Sequence, residues 1–167
     1  MPFTHNSIDI YTDGSCHTQL LIGGWAAILF IDHEKVVLTG QETDTTHNRM
    51  ELTAVIKAVN YVQTNYPAAT SIDIFSDSQY VIGLRGRKAR LSAAGFTTNA
   101  GKQIQNADLV KELLALDESL TLNFTKIKAH QKENETVNHN IEVDKLARKI
   151  VRDLVGKSSH PKNATAQ

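Results

Sequence analysis

The chain writes nearly the same strand twice. Ser7-Ile8-Asp9-Ile10-Tyr11-Thr12-Asp13-Gly14-Ser15 is echoed by Ser71-Ile72-Asp73-Ile74-Phe75-Ser76-Asp77-Ser78. Each copy alternates apolar and polar residues and then stops at an aspartate followed by turn formers, as a half-buried strand with a carboxylate at its end does. A helical stretch starting near Thr46 lies between them. If the copies pair as parallel neighbours, Asp13 and Asp77 emerge side by side at the carboxyl edge of the sheet, where open α/β sheets bind ligands. Read singly, each is an ordinary solvated turn aspartate. Read together, they repel unless a cation or a shared proton intervenes.

The rest of the chain fills in around this pair. At 167 residues it fits one domain able to bury a core. We place that domain at residues 1–155 and a polar, flexible tail at 156–167. Residues 14–24 read as a loop rich in glycine. Residues 24–31, around Trp25, and 36–43 read as strands joined by a turn at 32–35, giving a three-strand antiparallel meander. Thr46 is a good N-cap for a helix whose Leu52, Val55, Ile56, Val59 and Val62 recur at helical spacing. Glu51 is expected in its first turn, where the helix dipole favours an acid. Residues 79–84 suggest a short helix. Asn106 is expected to cap a helix carrying Leu109, Leu113, Leu116 and Leu120. Leu122, Phe124 and Lys126 alternate as a strand leading to His130. A polar loop over 131–140 then opens the last helix, with Val143, Leu146, Ala147, Ile150 and Leu154 on its buried face and Asp144 beside that face near its start.

Charge is informative only locally, because the formal net charge is zero. From Ser78 to Ala107 there are five basic residues (Arg85, Arg87, Lys88, Arg90 and Lys102) and no acidic one. Such a stretch suits phosphates, or is a solvated basic loop. The single cysteine, Cys16, rules out an internal disulfide framework and fits a reducing compartment, so a cytoplasmic location is expected. No apolar run approaches the ~20 residues of a membrane span, and no signal peptide is expected.

Four acids now stand in order: Asp13, Glu51, Asp77 and Asp144. The motifs carrying them are Thr12-Asp13-Gly14-Ser15, Thr46-His47-Asn48-Arg49-Met50-Glu51-Leu52, Ser76-Asp77-Ser78-Gln79-Tyr80-Val81 and Asn140-Ile141-Glu142-Val143-Asp144-Lys145-Leu146-Ala147-Arg148. Over residues 7 to 155 the chain resembles the type 1 ribonuclease H family. One motif would be weak evidence, since any Asp-Gly turn can supply it, but four in this order and spacing are specific. The resemblance implies an α/β ribonuclease H-like fold, with a mixed five-stranded sheet of the meander plus parallel strands, flanked by helices. It implies hydrolysis of the RNA strand of RNA/DNA hybrids to leave 5′-phosphate and 3′-hydroxyl ends. The four acids would hold two Mg²⁺ ions, with Mn²⁺ as an alternative. Such ions, ~3.5–4 Å apart, clamp an in-line displacement at phosphorus. His130 would be the family's loop histidine, handling a proton near the site without binding metal. A monomer with no membrane association is expected.

By the same resemblance, Gln19, Asn48, Gln79 and the backbone at Cys16 would read RNA 2′-hydroxyls, and Thr46 a DNA phosphate. Reading that hydroxyl is what distinguishes RNA from DNA. Arg85, Arg87, Lys88 and Arg90 would contact phosphates. The chain departs from the common bacterial pattern in several places. His47 and Gln19 stand where asparagine is usual, Ile141 stands where an acid is frequent, and the basic segment lacks tryptophan. Gly101-Lys102-Gln103-Ile104-Gln105-Asn106 and His130-Gln131-Lys132 look retroviral instead, while the ends of the chain favour a free-standing protein over a retroelement domain. Two other readings compete: a nucleic-acid-binding module that kept the fold without the activity, and a transposase or integrase relative.

Overall fold

The computed structural model describes residues 7–128 and 135–159. Three strands come first: β1 (Ser7–His17), β2 (Ile22–Ile31) and β3 (Glu34–Thr43). Then follow α1 (His47–Asn65), β4 (Ser71–Ser76), α2 (Gln79–Ile82), α3 (Leu84–Ala93), α4 (Ala107–Ser119), β5 (Leu122–Lys126) and α5 (Glu135–Ser159). The sheet order is β3-β2-β1-β4-β5, with β1–β2 and β2–β3 antiparallel and β1–β4 and β4–β5 parallel.

The echoed sequences pair residue for residue. Ser7 faces Ser71, Ile8 Ile72, Asp9 Asp73, Ile10 Ile74 and Tyr11 Phe75. The strand period of two then sends the same residue types to the same faces. Ile8, Ile10 and Ile74 lie on the face covered by α1, where Leu52, Val55 and Val59 meet them, and α4 adds Val110 and Leu113. Tyr11, Ala26 and Ile28 lie on the opposite face under Val143 and Ala147 of α5. Tyr11 and Phe75 stack across the parallel pair with ring centroids 4.7 Å apart.

Several expectations need correction. Most of the predicted 14–24 loop is strand, because β1 and β2 stay paired from Gly14↔Trp25 to His17↔Ile22. The turn shrinks to residues 18–21, closed by Leu21 N–H donating to His17 O at 2.8 Å, with Leu21 at φ 53°. The glycines serve close packing instead. A Cβ on Gly14 would lie 2.4 Å from Glu51 N, and one on Gly24 would lie 2.8 Å from Ile150 Cγ2. The first lets α1 seat against β1, and the second lets α5 seat against β2.

Glu51 is not in the first turn of α1. The helix begins at His47, so Glu51 stands one turn further in, beyond the reach of the terminal dipole. Thr46 caps as expected, accepting from Arg49 N–H at 3.2 Å. Asn106 occupies the N-cap position of α4 at φ 58° but makes no side-chain cap; its amide points to Tyr80 Oη instead. The basic segment over 84–93 is helical rather than looped. Helix α5 already runs through 135–140, which puts Asp144 well inside it, and it continues past the expected start of the tail to Ser159.

Candidate active site

Pairing between β1 and β4 ends at Tyr11↔Phe75, and each strand then delivers its aspartate two residues later. Asp13 is nearly buried at 3% exposure, while Asp77 reaches solvent. Helix α1 brings Glu51 to them, 1% exposed, because nothing at Gly14 holds the helix off. These three carboxylates offer oxygens that all lie within 4.8 Å of one another. Asp144 closes the group from α5, in the same cleft as Asp13 and held by Arg148 Nε at 3.0 Å. All four line one cleft of about 700 Å³.

The electrostatics are those of crowded acids. Burial, then the charge of Glu51, then hydrogen bonds with Glu51 and Asp144 push the Asp13 pKa far above the usual carboxylate range. Without a cation Asp13 therefore keeps its proton well above the pH at which a free carboxyl loses it. The protein mass around Asp77, together with Glu51 and Asp144, raises its pKa as well. Glu51 Oε2 is buried with no hydrogen-bond partner among the described residues. A buried polar oxygen with nothing opposite it is costly. An all-oxygen set of carboxylates with one orphaned oxygen fits a hard divalent cation such as Mg²⁺.

Sequence reasoning missed two members of the cleft. His47 donates from Nε2 toward Glu51 Oε1 at 3.3 Å, one turn apart on α1, and this bond raises its pKa. By sequence alone His47 is only a departure from the usual asparagine. Arg148 stands four residues after Asp144 on α5 and pairs with it. Both contacts have the i,i+4 spacing that a helix places on one face, and that spacing was readable.

The remaining expected residues are distributed unevenly. Asn48 and Gln79 line the cleft. Thr46 caps α1 at the rim, Gln19 is exposed in the β1–β2 turn, and neither is in the cleft wall. Cys16 is half-buried on β1, its thiol facing the carbonyls of Thr45 and His17. The basic residues of α3 are largely engaged within the fold. Arg85 pairs with Asp117 through Nε at 2.9 Å and packs over Phe124. Arg87 donates to Tyr80 O at 2.7 Å and lies over the Tyr80 ring, and Lys88 pairs with Glu118. Among the described residues, Arg90 has no such partner. His130 lies outside the described residues.

Comparison with known proteins agrees with this geometry. The family model for RNase H matches residues 5–152. A ribonuclease H from Francisella philomiragia is 35% identical over 153 residues, covering 91% of this chain and 95% of that protein. Among solved structures, LC9-RNase H1, a type 1 RNase H with the type 2 active-site motif, superposes with a TM-score of 0.73 at 19% identity, covering 88% of this chain and 72% of that one. LC11-RNase H1 in complex with an RNA/DNA hybrid gives a TM-score of 0.64 at 16% identity, covering 89% and 99%. With the family model spanning nearly the whole chain and the acids gathered at the sheet edge, the chain belongs to the ribonuclease H family.

Proposed function

We infer that this cleft hydrolyses the RNA strand of RNA/DNA hybrids endonucleolytically, leaving 5′-phosphate and 3′-hydroxyl ends. The observation that carries the reading is the set of three carboxylates within 4.8 Å, one of them with an orphaned buried oxygen. Asp13, Glu51, Asp77 and Asp144 would hold two Mg²⁺ ions, with Mn²⁺ able to substitute. When bound, such ions lower the pKa of a water and stabilise the leaving oxygen of an in-line displacement.

The chain's own residues do the rest. Arg148 and His47 steady Asp144 and Glu51 through single-turn contacts. Asn48 and Gln79, in the cleft wall, contact the RNA strand, and Gln19 and the Cys16 backbone extend that contact along the β1–β2 hairpin. Thr46 receives a DNA phosphate at the N-terminus of α1, where backbone N–H groups favour anions. Of the α3 cations, Arg90 is the most available to phosphates, while Arg85, Arg87 and Lys88 would first release internal partners. His130, beyond the end of β5, exchanges a proton with the attacking water or the departing product. Phosphate contacts position a duplex without reading sequence, so cutting is largely sequence-tolerant. The enzyme acts as a cytoplasmic monomer in this reading.

The test is incubation with labelled RNA/DNA hybrid, double-stranded DNA, double-stranded RNA and single-stranded RNA, in Mg²⁺ or in EDTA. Cleavage of the hybrid alone, and only with Mg²⁺, is expected. Binding without cleavage would make this a nucleic-acid-binding module. DNA strand joining would move it to the transposase or integrase class.

A further inference from the structure

Strand β5 places Lys126 directly opposite Ser76 of β4, and Ile127 N–H extends the pairing by donating to Ser76 O at 2.9 Å. Asp77 follows Ser76 immediately and Gln79 opens α2 two residues later, so Lys126 stands beside the cleft wall by strand register. Its Nζ donates to Gln79 Oε1 at 2.8 Å, and Lys126 has no ion pair among the described residues. An ammonium has three donors and no acceptor. Whatever amide atom faces it must therefore be the oxygen. The nitrogen of Gln79, with its two protons, is the atom left for the cleft.

We propose that Lys126 is a positioning residue that fixes the Gln79 amide so that its NH₂ group faces the substrate. Gln79 then reads acceptor oxygens on the RNA strand, either the ribose 2′-oxygen or a base acceptor in the minor groove. The inference rests on the reading that Gln79 contacts the hybrid. It gives Lys126 a task distinct from phosphate binding, although its charge alone would suggest the latter.

The experiment compares wild type with Lys126→Met, Lys126→Arg, Gln79→Ala and the Lys126→Met/Gln79→Ala double variant, by steady-state kinetics on a hybrid across a salt series. Lys126→Met should raise KM about fivefold to tenfold, the scale of one hydrogen bond, with kcat within about twofold. Lys126→Arg should restore KM to within about twofold, because a guanidinium also has only donors. In the Gln79→Ala background, Lys126→Met should change nothing further, and the salt slope should hold throughout. Multiplying effects overturn the proposal, as does wild-type KM in Lys126→Met. So does a salt slope reduced by about one unit, which is the mark of a phosphate contact. If Gln79→Ala itself keeps wild-type KM, the contact reading of Gln79 falls and takes the inference with it. Lys126 is exposed, so unchanged thermal unfolding confirms that each variant is folded.

Discussion

At the sheet edge, Asp13, Glu51 and Asp77 crowd their oxygens within 4.8 Å and leave Glu51 Oε2 without a hydrogen-bond partner among the described residues. On α3, Arg85, Arg87 and Lys88 are as dense in charge, yet each already meets an acid, a carbonyl or a ring of its own fold. The first region holds like charges together against their repulsion, which needs a partner from outside. The second has its partners within. Charge density in a sequence does not distinguish the two, but satisfaction of that charge in the fold does.

The acids carry the largest expected effect. Asp13→Asn, Glu51→Gln or Asp77→Asn should lower the cleavage rate by on the order of 10³-fold or more, since each removes a charge that the cations need. Thermal stability in EDTA should hold or rise, because repulsion is relieved. A variant near wild-type activity would remove that residue from the site. His130→Ala should reduce kcat by ~10²-fold, the lower end of general acid–base help, with KM and calorimetric Mg²⁺ affinity unchanged. Loss of metal binding in that variant would make His130 a ligand.

Packing at the same edge gives the next effect. Gly14→Ala forces a Cβ to 2.4 Å from the backbone nitrogen of Glu51. It should destabilise the protein by ~1–3 kcal/mol in urea unfolding and lower activity by displacing α1. An unchanged midpoint and rate would show that the helix yields freely.

The edge also predicts a pH response in EDTA. The folded pKa of Asp13 is raised above its ordinary value of 3.8, mainly by burial and by Glu51. Above that ordinary value the native state keeps a proton that the unfolded chain has lost. Stability therefore falls as pH rises through the window between the two values. Urea unfolding from pH 4 to pH 8 should show this decline, Asp13→Asn should flatten it, and saturating Mg²⁺ should offset it at neutral pH. A rise in metal-free stability over that range would contradict the proton retained on Asp13.

The smallest effects belong to α3 and sharpen the contrast. Arg90→Ala should lower the salt slope of hybrid binding by up to about one unit while leaving unfolding unchanged. Arg85→Ala should do the reverse, destabilising by about 1 kcal/mol with little change in slope, because it removes the pair with Asp117. Equal slopes for both variants would mean that the internal pair opens readily to substrate.

Legibility followed the range of each interaction. The parallel register of β1 and β4 could be read because both strands carry the same pattern, and the α1 core stripe because helical spacing is local. The glycine-rich stretch 14–24 reads as loop, since only the packed helices reveal what a side chain at Gly14 or Gly24 would strike. The internal partners of the α3 charges are invisible for a similar reason: Asp117 lies 32 residues from Arg85 and arrives only through α4. The depth of Asp144 depended on where α5 begins, and polar residues at 135–140 gave no sign of helix.

The residue-for-residue pairing of β1 with β4 makes backbone register a catalytic variable. Neighbouring strands lie ≈ 4.8 Å apart, so paired strand ends set the separation of the two aspartates. A slip of one residue would turn one aspartate to the opposite face, and a slip of two would carry it ~6–7 Å along the strand. One residue inserted between Ser7 and Tyr11, or between Ser71 and Phe75, would therefore disarm the enzyme even if the sheet re-formed. The same insertion in the 18–21 turn or the 66–70 connection would leave the ruler intact.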